Sequence, residues 1–245
     1  MKTRNVILRL LLAGLVTATL GGSSVRGDLL FSDSFDYPAG PLAGQGPPAG
    51  APPGQTGWSL LSGDPQVSVT GLHYPMVYST GGGALLNDGG GANQTAVANL
   101  TPVNSGVVWL GFLLRHGGGG STGYAVVNLT AGTGTADFPG YGVLFALNEF
   151  GIDNDGAGSA TTNLSPPSLP VWLVVKLDFD RGTQKLYVNP TSPNGSPDAQ
   201  LQMSSEFQAA GFNDLRLNIG LNRGATYRFD EVRVATTFGE ISRGH

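Results

Sequence analysis

The sequence predicts an all-β chain folded as an antiparallel jelly-roll β-sandwich, and three observations carry that expectation. Turn formers are abundant and charges are scarce: 39 glycines and 16 prolines stand in 245 residues, with 12 % charged residues against about 25 % in an ordinary globular domain. Short apolar runs recur with Gly, Pro, Asn or Asp between them, as in strands joined by turns. Within the longest runs apolar and polar side chains alternate with period two, which suits antiparallel sheets burying one face. Strands of this kind must stack as two sheets or close into a barrel. A length of 245 residues fits one large β domain.

Residues 1–27 read as a cleaved export signal. Lys2, Arg4 and Arg9 accompany an apolar stretch from Val6 to Leu20, and Val25-Arg26-Gly27 sets small residues at the positions a signal peptidase reads. The stretch is shorter than the roughly 20 apolar residues of a membrane span, and no later segment is long and apolar enough to be one. The expected domain is therefore 28–245, secreted or held in the periplasm or cell envelope. Cleavage removes four cations and no anion, taking the formal charge from −4 to −8. An acidic chain without a run of Lys or Arg excludes nucleic acid as a partner. The absence of cysteine excludes disulfides, thiolate metal sites and a lipid-modified cysteine.

The elements follow in order. "LLFSDSFD" (29–36) is a first strand, and the Pro/Gly-rich stretch 37–57 a long surface loop. Strands are then predicted at "WSLL" (58–61), "ALLN" (84–87), "TAVANL" (95–100), "GVVWLGFLLR" (106–115), "GYAVVNL" (123–129) and "YGVLFALN" (141–148). In "VWLVVKLDF" (171–179), Val171, Leu173, Val175, Leu177 and Phe179 share one face, with Trp172, Lys176 and Asp178 on the other. "DRGT" (180–183) turns the chain into "QKLYV" (184–188). Ser204 caps one helical turn that ends before Gly211. In "LRLNIGLN" (215–222) Leu215, Leu217 and Ile219 face inward while Arg216 and Asn218 face out.

The last strand, "RFDEVRV" (228–234), breaks its own pattern. Tyr227 and Phe229 have one parity, Val232 and Val234 the other. A β-bulge produces such a switch, because one extra residue re-aims every side chain beyond it. Asp230 or Glu231 is the inserted residue, and an inward carboxylate there needs a partner.

"SDSFDYPAGPLAGQ", "VVWLGFLLR", "LVVKLDFDRGTQKLYVNP" and the closing "FNDLRLNIGLNRGATYRFDEVRVATTFGEIS" together resemble the concanavalin-A-like lectin/glucanase jelly roll. The similarity is greatest to its LamG-like members among exported proteins of Planctomycetes and Verrucomicrobia, and it runs over the whole chain after residue 27. Such members often end on a Pro-Glu-Pro sorting segment, from which "GEISRGH" departs. The fold hosts lectins, carbohydrate-binding modules, glycosidases, lyases and adhesion domains. The resemblance also implies a structural calcium where the last strand meets the first, on Asp230 and backbone oxygens, with Asp33 and Asp36 near it if the termini pair. The residues alone leave a second reading open, in which Asp230 accepts backbone N–H groups or pairs with Arg228 or Arg233.

Glucanases of this fold use Glu-x-Asp-x-x-Glu on a strand. Among the four glutamates, Glu149 is followed by an acid only at Asp153, so the motif is missing and "IDNDG" reads as a tight turn. "GGSTG" (119–123) matches a nucleophile elbow in letters but lies between two strands, as a hairpin loop would. His73, His116 and His245 have no ligand spacing. Trp109 shares a face with Arg115, and Trp172 with Lys176. Aromatic planes beside polar donors stack and hydrogen-bond sugars, whereas the same tryptophans under a loop would form a second core. Tyr74 and Tyr78 are lesser members of the same class. The expected function is a non-catalytic domain that binds a glycan or serves in envelope adhesion. The alternatives are a glycoside hydrolase or polysaccharide lyase with a degenerate motif, and a purely structural envelope protein.

Overall fold

A computed structural model of the chain describes residues 27–77, 79–87, 93–118, 123–132, 138–144, 147–154, 158–220 and 224–243. The expected export signal, apart from Gly27, lies outside these residues, as do Tyr78, Ser121, Asp155, Gly156 and His245. In chain order the strands are β1 (Leu29–Asp33), β2 (Gly40–Pro41), β3 (Ser59–Ser62), β4 (Gln66–Ser68), β5 (Gly83–Asn87), β6 (Gln94–Val103), β7 (Val107–Gly118) and β8 (Tyr124–Thr130). There follow β9 (Gly140–Leu144), β10 (Glu149–Asp153), β11 (Ser159–Thr161), β12 (Val171–Asp178), β13 (Thr183–Val188), β14 (Ala199–Gln202), helix α1 (Ser205–Ala210), β15 (Phe212–Gly220), β16 (Thr226–Ala235) and helix α2 (Phe238–Ser242).

These strands form two antiparallel sheets. One runs β14-β13-β12-β7-β16-β5-β4-β2 with β1 added to β16, and the other runs β11-β10-β9-β8-β15-β6-β3. Their facing sides interlock in one core. Alternate residues of β12 (Val171, Leu173, Val175, Leu177) and of β15 (Leu215, Leu217, Ile219) enter it with at most 2 % exposure, as their period-two patterns require. The turn at 180–183 joins β12 to β13, with Asp178 opposite Thr183. Ser204 caps α1 by accepting from the Phe207 N–H at 3.1 Å, and Gly211 closes it at φ 66°. β7 and β8 belong to different sheets and do not pair as a hairpin; residues 119–122 of "GGSTG" lie outside the described residues.

The break in the last strand is a bulge. Between Asp230, opposite Leu113, and Arg233, opposite Gly111, β16 holds one residue more than β7. Glu231 takes the left-handed backbone, φ 49°, and Tyr227, Phe229, Val232 and Val234 consequently all reach the same core. The termini pair as expected, since β1 lies along β16 with Asp33 opposite Val232.

Two expectations are corrected. The 37–57 stretch is not all surface loop: Leu42 is fully buried, β2 pairs with β4, and the Gln55 side chain donates to the Ser32 carbonyl at 2.9 Å while accepting its N–H at 3.0 Å. A primary amide thus copies a strand partner on the free edge of β1, an edge that would otherwise invite pairing with another chain. "IDNDG" is not simply a turn, because Glu149–Asp153 is a strand between β9 and β11.

The outer face of β12 also differs from the solvated face that alternation suggests. Trp172 and Val174 are buried there with Trp109, Leu113, Tyr187, Ala235 and Ile241 in a second cluster. Helix α2 covers it: Phe238 lies 5.6 Å from the Trp172 ring and 5.4 Å from the Trp109 ring. Gly111 permits the contact, since a Cβ there would stand 3.1 Å from Ile241. Trp172→Ala is therefore expected to cost about 3–5 kcal/mol, the range for a buried aromatic, measured by chemical denaturation. A loss below about 1 kcal/mol would mean that this cluster adds little to the fold.

Candidate functional site

The outer face of the seven-stranded sheet carries polar side chains between the buried Val97 and Val126, where that of the nine-stranded sheet is packed with aromatic rings. Across it, Asn218 of β15 stands between Thr95 of β6 and Val126 of β8, and Arg216 stands opposite Asn128. Their side chains form a directed relay. Ser62 donates to Thr95 at 3.3 Å, Thr95 donates to the Asn218 carbonyl oxygen at 3.1 Å, and the Asn218 amide donates to the Asn128 carbonyl oxygen at 3.4 Å. Each step fixes the next group, so the Asn128 amide is turned with its Nδ2 toward β9.

There it packs over Gly140. A Cβ on Gly140 would lie 2.8 Å from the Tyr124 hydroxyl, 2.9 Å from Asn128 Nδ2 and 3.2 Å from Val126 Cγ2. Only glycine fits there, because these side chains already occupy the space. Arg216 borders the same surface, its Nη2 donating to the Gly132 carbonyl at 2.8 Å and standing 3.9 Å from Asp214. Burial raises the Asp214 carboxyl above its ordinary range, and Arg216 only partly offsets this. Amides, a guanidinium and a phenol beside a glycine floor are suited to the vicinal hydroxyls and flat faces of sugars. The sequence marks Arg216 and Asn218 as outward. It does not reveal the relay, because Asn128 and Asn218 are 90 residues apart.

The bulge gathers three buried carboxyls. Asp33 accepts from the Phe35 N–H, the Tyr37 hydroxyl and the Trp58 indole, each at 2.7 Å. Glu231 accepts from the Thr80 N–H and the Ser34 hydroxyl, both at 3.1 Å, and pairs with buried Arg233. Asp230 accepts from Leu72 N–H at 2.6 Å and from Glu231 N–H at 2.7 Å. Burial raises all three. Asp230, with no cation on it and with Glu231 and Asp33 adding repulsion, is pushed up to about 8.

Gly71 locates what Asp230 faces. A Cβ there would lie 2.9 Å from each of three oxygens, Asp230 Oδ2 and the Gly81 and Gly82 carbonyls. That point lies one bond length from the Gly71 Cα, so glycine is what lets the chain pack against these oxygens, and Asp230 Oδ2 already accepts from Leu72 N–H. Carboxylate and main-chain oxygens are the ligand type that calcium takes. Asp33 is saturated by donors of its own loop, and Asp36 is exposed beside Gly81. Among the described residues no three His, Cys, Asp or Glu side chains converge as metal ligands.

The residues expected to stack on sugar are placed differently from that expectation. Trp109 and Trp172 share one face of the sheet but are 6 % and 1 % exposed, covered by α2, and neither ring presents a flat face to solvent. Arg115 is exposed, with Nε donating to the Ser168 carbonyl at 2.9 Å. The Lys176 ammonium lies 5.3 Å from the centroid of the Trp109 ring. Tyr74 packs at 6.3 Å from Trp172.

No family model matches the chain, and no curated protein matches it. Solved structures do. The globular domain of Trypanosoma cruzi calreticulin aligns at TM-score 0.53 and 11 % identity, over 75 % of this chain and 85 % of its own. Domain 4 of a GH43 extracellular arabinanase of Geobacillus stearothermophilus, in complex with arabinotriose, aligns at 0.52 and 14 % identity, over 88 % and 97 %. A glycoside hydrolase family protein of Mycobacterium thermorestibile aligns at 0.52 and 16 % identity, over 84 % and 100 %. These likenesses show a shared fold, a jelly-roll β-sandwich of two antiparallel sheets.

Asp230 gives a pH dependence whose sign is fixed. A carboxyl raised in the folded state binds more protons folded than unfolded. Its contribution is therefore largest near pH 4 and is lost as pH rises toward about 8. Glu231 and Asp33 share this sign, while Asp178, held below its ordinary range by Arg181, acts at lower pH. In EDTA the melting temperature should fall from pH 5 to pH 8.5, and Asp230→Asn should flatten that fall. Millimolar calcium at pH 8.5 should restore the wild type and leave Asp230→Asn unchanged, since binding to the folded state stabilises it by mass action. Thermal melts indifferent to calcium would remove the metal and leave a proton on Asp230.

Proposed function

We propose that the chain is an exported, non-catalytic domain, residues 28–245, that binds carbohydrate on the outer face of its seven-stranded sheet. The relay from Ser62 to Asn128, which sets an amide beside the Tyr124 hydroxyl over Gly140, is the observation that carries this reading. Its members sit on strands, so the site is fixed before the ligand arrives and little freedom remains to be lost on binding. The arabinotriose bound to the arabinanase domain supports the ligand class. The signal-like residues 1–27 and the lack of cysteine support export, and the motifs shared with LamG-like exported proteins support membership of that group. Calcium on Asp230, Gly81 and Gly82 would tie the 71–72 and 81–82 segments to β16 as a structural ion.

The hydrolase and lyase alternatives have weaker support. Glu149 and Asp153 lie on the same face of β10, four residues apart, which separates their Cα atoms by about 13 Å. Retaining and inverting carboxyl pairs stand about 5–5.5 Å and 6.5–9.5 Å apart.

A glycan array probed with the protein purified from culture medium is expected to select a defined set of oligosaccharides. Asn128→Ala should weaken that binding at least about tenfold, through loss of the amide's hydrogen bonds, with the melting temperature nearly unchanged. Gly140→Ala should act in the same direction by displacing the Tyr124 hydroxyl and the Asn128 amide. A protein that binds no glycan, or an Asn128→Ala variant that binds as the wild type does, would overturn the reading.

A further inference from the structure

Lys176 and Lys185 are the only lysines after Lys2, and the fold sets them face to face. They are direct partners across β12 and β13 on the outer side of the nine-stranded sheet. Trp109 of β7 stands next to Lys176, and Gln200 of β14 next to Lys185. Like charges directly opposite each other destabilise a sheet, and a neighbouring carboxylate is the usual remedy. Neither lysine joins an ion pair among the described residues. Asp178 is near but engaged, accepting from Arg181 Nη1 at 2.8 Å and from its N–H at 3.0 Å.

Lys176, Lys185, Arg181, Asp178, Thr183 and Gln200 line a shallow pocket of about 230 Å³. It holds three cations against one anion, in a chain whose formal charge is −4. The Lys176 ammonium is held over the Trp109 ring at 5.3 Å, and that ring is packed under α2. One of the two opposed charges is therefore anchored to the second core and is not a freely solvated chain end.

We propose that this pocket binds the acidic group, carboxylate or sulfate, of a charged saccharide. The inference rests on the carbohydrate reading above and narrows it to an acidic glycan, at a second surface of the sandwich. Lys176 and Lys185 bracket the anion and relieve each other's repulsion through it. Thr183 and Gln200 supply hydrogen bonds to neighbouring hydroxyls. Arg181, fully exposed, bears on the rim. The patch is one pocket wide, and the rest of the acidic surface repels a continuous phosphate backbone, so a saccharide with spaced charges fits it better than nucleic acid does.

Isothermal titration of the secreted protein with oligogalacturonate, a heparin-derived oligosaccharide and a neutral arabino-oligosaccharide tests this, using wild type and the double variant Lys176→Gln/Lys185→Gln. At least one acidic oligosaccharide should bind the wild type, more weakly as salt is added, and at least about tenfold more weakly to the double variant. Preference for the galacturonate identifies a carboxylate, and preference for the heparin fragment a sulfate. The double variant should melt no lower than the wild type, because it loses a repulsion. Any binding of neutral sugar should be the same in both proteins. Acidic sugars that bind both proteins equally, or neutral sugar bound with no acidic sugar bound, overturn the inference and leave the carbohydrate reading standing. A protein that binds neither kind overturns both.

Discussion

Strand β16 can complete the core only because of the bulge at Asp230 and Glu231. It pairs with β7, β5 and β1, so its side chains must agree with three neighbours. An unbulged strand carrying this sequence would bury either Tyr227 and Phe229 or Val232 and Val234, never all four. One residue in left-handed backbone resolves the conflict, at a strain of order 1–3 kcal/mol for a non-glycine residue. Burial of an additional pair of valines offsets it, at about 1.5–3 kcal/mol each. Polar groups absorb the remainder. Glu231 is tied to Ser34, Thr80 and Arg233, and Asp230 to Leu72, which draws the entry loop and the 71–82 segment onto the centre of the sheet.

The carboxyl cluster thus has a structural cause before it has a chemical one. The bulge turns two acids out of the core and under the chain that returns over the sheet, where burial raises them. Burial raises Asp230 against only two backbone N–H donors, while Glu231 also has a guanidinium and Asp33 three donors to offset it. A carboxyl so buried is neutralised by taking up a proton, and that equilibrium is set by pH and not by any change in the fold.

Much of this was legible in the sequence, because its signals are local. Period-two runs announce the sheets, the parity switch announces the bulge, and Ser204 with Gly211 announces the one early helical turn. What was not legible depends on contacts between distant segments. Trp109 and Trp172 have outward parity, which holds, but whether an outward ring meets solvent depends on what returns over it. Val174 and Leu113 on the same parity were the available signal of a second core, and Gly111 the signal of a close approach. The relay and the paired lysines were invisible for a related reason: neither involves a run of like residues, and both arise from cross-strand register. A sequence without a Lys or Arg run nonetheless gathers three cations in one pocket.

The two outer faces consequently divide the work of the sandwich. On the nine-stranded sheet, α2 and the 72–77 segment convert an apolar stripe into a second core, leaving charge only at its margin, where Lys176 rests against that core. On the seven-stranded sheet the outward positions include Asn128, Thr95, Arg216, Asn218 and Gly140 beside the buried Val97 and Val126, and the polar ones bond to one another. A side chain that accepts at the end of such a relay keeps its orientation only while every upstream donor is in place. The direction of the Asn128 amide is therefore determined at Ser62, three strands away, and the recognition surface is as rigid as the register of β3, β6, β15 and β8. Specificity in such a site follows from the pairing of strands, the same constraint that places the bulge at the centre of the opposite sheet.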